Sequence, residues 1–115
     1  MSCRLIIPTF NAGRIWKNCV EAIARQRLQL DDVLVIDSGS TDETVDIALA
    51  AGFRVAYTEQ TEFNHGATRQ KAIENGPDCD HVVFLTQDAV LVGSEALSNM
   101  IRYFDDKHVG AVCGR

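Results

Sequence analysis

The chain has 115 residues and a mass of 12.7 kDa, which fits one compact domain over residues 1–115 and leaves no room for a second. Hydrophobic residues make up 46% and charged residues 23%, a globular balance that excludes a disordered, collagenous or coiled-coil chain. The formal net charge of −5 excludes nucleic-acid binding through a basic surface. That charge is uneven: residues 1–30 hold five Lys/Arg against one Glu, whereas residues 31–115 hold six against fifteen acids. No apolar run approaches the roughly 20 residues of a membrane span. The start, Met1-Ser2-Cys3-Arg4-Leu5, lacks a signal-peptide pattern, so a cytoplasmic protein is expected. The four cysteines are far apart without a C-x-x-C pair, and they read as reduced, small apolar residues.

In chain order, Leu5-Ile6-Ile7 is a short apolar run closed by Pro8-Thr9 and predicts a buried strand. Arg14 to Arg27 follows as a helix, with Ile15, Cys19, Val20 and Ile23 on its apolar stripe. Its basic residues Arg14, Lys17, Arg25 and Arg27 read as a solvated face, with peripheral membrane contact as the lesser alternative. Val33-Leu34-Val35-Ile36 predicts a strand covered on both faces. Ser40-Thr41-Asp42-Glu43 has the spacing of a capping box, with Ser40 as N-cap of a helix that Gly52 stops. Phe53–Tyr57 predicts a third strand, and a helix starting at Asn64 or His65 ends at Asn75-Gly76-Pro77. Val82–Leu85 predicts a fourth strand. A helix opening at Ser94-Glu95 follows, with Leu97, Met100, Ile101 and Phe104 on one side, and Val109–Cys113 reads as a last strand.

Strands alternating with helices over units of about 25 residues imply parallel crossovers. The expected fold is therefore a Rossmann-like α/β domain, a mostly parallel sheet with helices on both faces. In such sheets ligands sit beyond the carboxyl ends of the strands. Thr9-Phe10-Asn11, Asp37-Ser38-Gly39 and Thr86-Gln87-Asp88 follow three of the strands, so they should meet on one rim.

Each cluster has a chemical and a plain reading. Asp37 can accept from a pyrimidine ring N–H, and Gly39 permits close backbone approach; helix capping explains Ser40 and Glu43 equally well but leaves Asp37 unexplained. Phe10 offers a ring for stacking on a nucleobase, or it is a core residue with Asn11 as a turn former. Asp88 can hold Mg²⁺ or Mn²⁺ against a diphosphate, or it caps a turn. Asn64-His65-Gly66-Ala67-Thr68-Arg69 opens a helix whose N-terminus and Arg69 favour an anion, or it is a capped helix with a surface Arg. His65 as a general base is the weaker alternative for this block. Neither G-x-G-x-x-G after the first strand nor G-x-x-x-x-G-K-[ST] occurs, which disfavours the common dinucleotide and P-loop arrangements.

Four blocks then resemble, in order and spacing, the family-two glycosyltransferases: Ile7-Pro8-Thr9-Phe10-Asn11, Val35 through Asp42, Gly66 through Arg69, and Phe84 through Ala89. The resemblance covers essentially the whole chain. It implies an inverting, nucleotide-sugar-dependent enzyme of the A-type fold, of which residues 1–115 are the donor-binding part. It further implies a donor site of Pro8, Thr9, Phe10, Asn11, Asp37, Ser38, His65, Gly66, Arg69, Gln87 and Asp88. Within it, Thr9 and Phe10 hold and stack the base, Asp37 reads the pyrimidine N–H, and Arg69 lines the nucleotide pocket. Asp88 is the last Asp of the metal-binding D-x-D motif.

Two positions depart from the pattern. Ser38 replaces the second Asp of V-D-D-G-S, and Thr86 replaces the first Asp of D-x-D, which argues against strong dependence on Mg²⁺ or Mn²⁺. Phe63 through Arg69 and Thr86-Gln87-Asp88-Ala89 are similar to the rhamnosyltransferase subset, which uses a dTDP-linked deoxysugar. The implied reaction transfers the sugar of a dTDP-rhamnose or UDP-sugar donor to a polysaccharide or lipid-linked acceptor at the inner face of the membrane. Nothing between Ala89 and Arg115 matches the family's general base, which is expected beyond Arg115. The alternative reading is a nucleotide-binding module without turnover. A donor-binding half would also expose apolar surface, so self-association between copies is expected.

Overall fold

The computed structural model describes residues 2–59 and 79–112. Among these residues seven elements and a terminal turn follow one another: β1 (Cys3–Thr9), α1 (Ile15–Ala24), β2 (Asp32–Asp37), α2 (Thr44–Ala50), β3 (Arg54–Tyr57), β4 (His81–Phe84) and α3 (Ala96–Arg102), which ends in a 3₁₀ turn at Tyr103–Asp105. The four strands form one parallel sheet in the order β3-β2-β1-β4. Parallel pairing demands crossovers, and the apolar runs in β1 and β2 supply strands that are covered on both faces.

Register carries each strand to the same end. Thr9 lies opposite Asp37, and Asp37 opposite Tyr57, while β4 pairs with β1 only as far as Ile6 and Phe84. Pro8 is tolerated inside the central strand for that reason. The Ile6 carbonyl accepts from the Leu85 amide and the Thr9 carbonyl from the Ser38 amide, so backbone groups alternate between β4 and β2. Position 8 therefore faces the β4 side just past the end of pairing, where a missing N–H leaves no ladder bond unmade.

The main core lies on one face of the sheet. Leu5, Ile7, Val35 and Val83 pack there with Trp16, Cys19, Val20 and Ile23 of α1, Ala48 of α2, and Leu97 and Ile101 of α3. On the opposite face Ile6, Leu34 and Ile36 are buried as well, with Val82 and Phe84 beside them. All the described helices thus pack on one face, and the helix expected at residues 64–75 lies outside the described residues. Val109–Val112 form no strand, contrary to the sequence expectation, and the sheet gains no fifth member among the described residues.

Helix α1 is shorter than its sequence pattern and keeps three of the four expected stripe residues, Cys19, Val20 and Ile23, in the core. Its buried line runs through Trp16, Cys19, Val20 and Ile23, and Ile15 is 40% exposed. The indole is the larger apolar body, and placing it inward turns Ile15 out.

The amino end of the sheet is tied by charge. Arg4, 1% exposed, lies within 3.3 Å of Asp32, and Arg54 grips the same carboxylate through Nε at 2.6 Å and Nη2 at 2.7 Å. Hydrogen bonding from Arg54 is the main influence holding the Asp32 carboxyl below its ordinary value. The described cysteines, Cys3, Cys19 and Cys79, are free. Burial, with Cys79 and Asp31 nearby, pushes the Cys3 thiol up to about 11. No described helix is long and apolar enough to cross a membrane.

Candidate functional site

At the carboxyl end of the sheet three loops meet, one each after β1, β2 and β4. They are held together by side chains that reach across and take backbone amides. In the first loop four consecutive amides are taken this way. Phe10 N–H donates to Gln87 Oε1 at 2.8 Å, Asn11 to Ser40 Oγ at 2.9 Å, Ala12 to Thr44 Oγ1 at 3.0 Å and Gly13 to Asp42 Oδ2 at 3.2 Å. In return Asn11 Oδ1 accepts from the Thr41 amide at 2.8 Å. Asn11 adopts the left-handed backbone (φ 43°), which Asn tolerates better than most residues. The amides that lead into α1 are therefore already spent, and they cannot also cradle a phosphate. Anion binding in the manner of a P-loop is absent here for a geometric reason.

Asp37 is the centre of the second loop. Its Oδ1 accepts from Thr9 Oγ1 at 2.8 Å and Ser40 Oγ at 2.6 Å. Its Oδ2 accepts from the Gly39 amide at 3.0 Å and the Ser40 amide at 2.8 Å. A carboxylate has about four lone-pair positions, and all four are used. Gly39 carries φ 103°, a conformation open in practice to glycine alone, and this lets its amide turn back onto the carboxylate. Burial pushes the Asp37 carboxyl up, but the Ser40, Thr9 and Gly39 donors together outweigh it and hold the group below its ordinary value. The residue is 1% exposed and stays ionised.

This explains why the expected capping box is not made. Asp37 takes the Ser40 hydroxyl, so Ser40 does not cap. The Asp42 carboxylate instead accepts from the Thr44 amide at 3.0 Å and from its hydroxyl, and α2 begins at Thr44 rather than Ser40. Thr44 then joins two loops and a helix: its hydroxyl oxygen accepts from Ala12, and its carbonyl accepts from Trp16 Nε1 at 2.9 Å. Thr44 stands outside the capping-box stretch, and the Asp42 side-chain oxygen two residues before it is the signal for it in the sequence.

The remaining expected positions fall as follows. Pro8 and Thr9 are buried at the end of β1, and Phe10 is 37% exposed beside them. Ser38 is buried, and its amide and hydroxyl both donate to the Thr9 carbonyl, at 3.0 and 3.2 Å. Gln87 ties the third loop to the first through Phe10, while its carbonyl accepts from Cys19 Sγ at 3.1 Å. Burial and the nearby Asp88 raise the Cys19 thiol. Asp88 and Thr86 are exposed on the rim. His65, Gly66 and Arg69 lie outside the described residues. The structure thus brings together Thr9, Phe10, Asn11, Asp37, Ser38 and Gln87, and sets Asp88 on the adjoining loop.

Among the described residues no three His, Cys, Asp or Glu side chains gather as a cation site. A Mg²⁺ or Mn²⁺ ion at Asp88 would take one carboxylate from them, with diphosphate oxygens and water completing the shell, as Mg²⁺ commonly does. The donor set fits that use and no more.

Relatives share both the sequence and this architecture. The chain is 46% identical over 116 residues to the O-antigen chain rhamnosyltransferase RfbN of Salmonella typhimurium, a match to all of this chain and 37% of that protein. It is 44% identical over 115 residues to the O-antigen chain rhamnosyltransferase WbaN of Salmonella anatum, a match to 99% of this chain and 36% of that one. The chain therefore spans little more than a third of the length of these relatives. The solved mannosyltransferase PcManGT from Pyrobaculum calidifontis has the same fold, with a TM-score of 0.77 at 24% identity over 94% of this chain and 33% of that one. The match to the family described as "Glycosyl transferase family 2" covers residues 5–115, and the chain belongs to that family.

Proposed function

We propose that this chain binds the nucleotide-sugar donor of a glycosyl transfer, of the dTDP-rhamnose or UDP-sugar class. In this reading the whole protein passes the sugar to a growing polysaccharide or lipid-linked acceptor. The observation that carries the reading is the convergence of Thr9, Phe10, Asp37, Gln87 and Asp88 on one rim, in a chain 46% identical along its length to an O-antigen rhamnosyltransferase. PcManGT, solved with GDP-Man and Mn²⁺, supports it.

In this reading the Phe10 ring stacks on the base, its backbone pinned by Gln87. Asp37 accepts from the pyrimidine ring N–H in exchange for one of its two hydroxyl donors, Thr9 or Ser40, either of which can rotate away. The two amide donors keep the turn in place meanwhile. Asn11 and Ser38 act from behind, as fasteners between loops. Arg69 supplies positive charge to the diphosphate. Asp88 holds a divalent ion against the diphosphate, an ion that would offset negative charge on the leaving group. No residue of this chain is proposed as the general base.

Calorimetry with dTDP and UDP, with and without Mn²⁺, tests the reading. Binding of at least one nucleotide is expected, weakened about tenfold by Phe10→Ala through loss of stacking. Absence of heat with both nucleotides, with and without the ion, would overturn it.

A further inference from the structure

We infer that Tyr57 is a second aromatic contact for the donor's base, standing beside Asp37 at the sheet end. The inference rests on the donor-binding reading above and adds to it a residue that neither the sequence blocks nor the resemblance marks.

Pairing places Thr9, Asp37 and Tyr57 in one row across β1, β2 and β3. Residues in register point to the same side of a sheet, so Tyr57 rises on the side of the Asp37 carboxylate. Its backbone is fixed, because the Thr58 amide continues the ladder by donating to the Asp37 carbonyl at 2.8 Å. Its side chain is not covered. Tyr57 is 69% exposed, although it stands at a strand end beside two residues that are 3% and 1% exposed.

The row therefore sets an uncovered aromatic side chain beside the carboxylate that the donor-binding reading gives to the base. With strands about 4.8 Å apart, the Tyr57 Cα lies about 5 Å from that of Asp37, so the phenol ring is within reach of a base held by that carboxylate. An exposed aromatic ring favours the planar π-system of a base over a free phosphate.

Calorimetry on the chain and its variants decides the matter. Tyr57→Ala and Tyr57→Leu are each expected to weaken dTDP binding about tenfold, Tyr57→Phe to retain it within twofold, and binding of pyrophosphate to be the same in all of them. Thermal unfolding should be unchanged, since the side chain is exposed. Affinity for dTDP unaltered in Tyr57→Ala and Tyr57→Leu would overturn the inference. A loss in Tyr57→Phe equal to that in Tyr57→Ala would overturn it too, by assigning the effect to the phenol oxygen. Failure of the unaltered chain to bind dTDP or UDP would instead strike the donor-binding reading itself.

Discussion

Asp37→Ala is expected to cost about 3–5 kcal/mol of stability and to abolish nucleotide binding, the largest effect of any single polar substitution at the rim. The side chain accepts four hydrogen bonds while 1% exposed, so its removal strands two hydroxyls and two amides in the interior of a turn. Asp37→Asn should cost about 2 kcal/mol, because its Oδ1 can keep the Gly39 and Ser40 amides but its NH2 group no longer accepts from the Thr9 and Ser40 hydroxyls. Urea unfolding followed by circular dichroism measures both.

The same group gives a sign in pH. Its carboxyl is held below the ordinary value, so the unfolded chain binds the proton more readily. The stability it supplies is complete above about pH 3.9, the unfolded value, and is lost as pH falls through the lower folded value. Unfolding curves taken from pH 5 downward should therefore fall more steeply for the parent chain than for Asp37→Asn. Equal slopes would mean that the four donors do not favour the ionised form.

The second large effect is expected at Trp16. The indole is 0% exposed in the main core, and its N–H donates to the Thr44 carbonyl at the start of α2. Trp16→Ala should cost about 3–5 kcal/mol through the cavity it leaves. Trp16→Phe should cost about 1–2 kcal/mol, for the lost indole hydrogen bond and the smaller ring. Because Thr44 also takes the Ala12 amide, Trp16→Ala should loosen the first loop and weaken nucleotide binding as well. Full stability in Trp16→Ala would contradict the packing described.

Strands β1, β2 and β4 were legible in the sequence through their apolar runs of three or four residues, whereas Val109–Val112, which lack such a run, form no strand. Asp37 stood out there too, being the one residue of its block that helix capping left unexplained. What escaped was competition for hydrogen bonds. Ser40 has the spacing of an N-cap, yet a neighbouring buried carboxylate outbids the helix for its hydroxyl, and nothing local in the sequence encodes that contest. On helix α1 the periodicity marks Cys19, Val20 and Ile23 correctly, while the volume of Trp16 puts that residue rather than Ile15 into the core at the helix start. Tyr57 was hidden because its meaning lies in register, which places it level with Asp37 across 20 residues of sequence.

The most direct test of the account is to titrate the ¹⁵N-labelled chain with dTDP and follow its amide resonances. Shifts should concentrate at residues 9–12, 38–41, 57–58 and 86–88, the carboxyl rim of the sheet. Shifts confined to the amino end, around Ser2, Asp31 and His81, or none at saturating nucleotide, would contradict it.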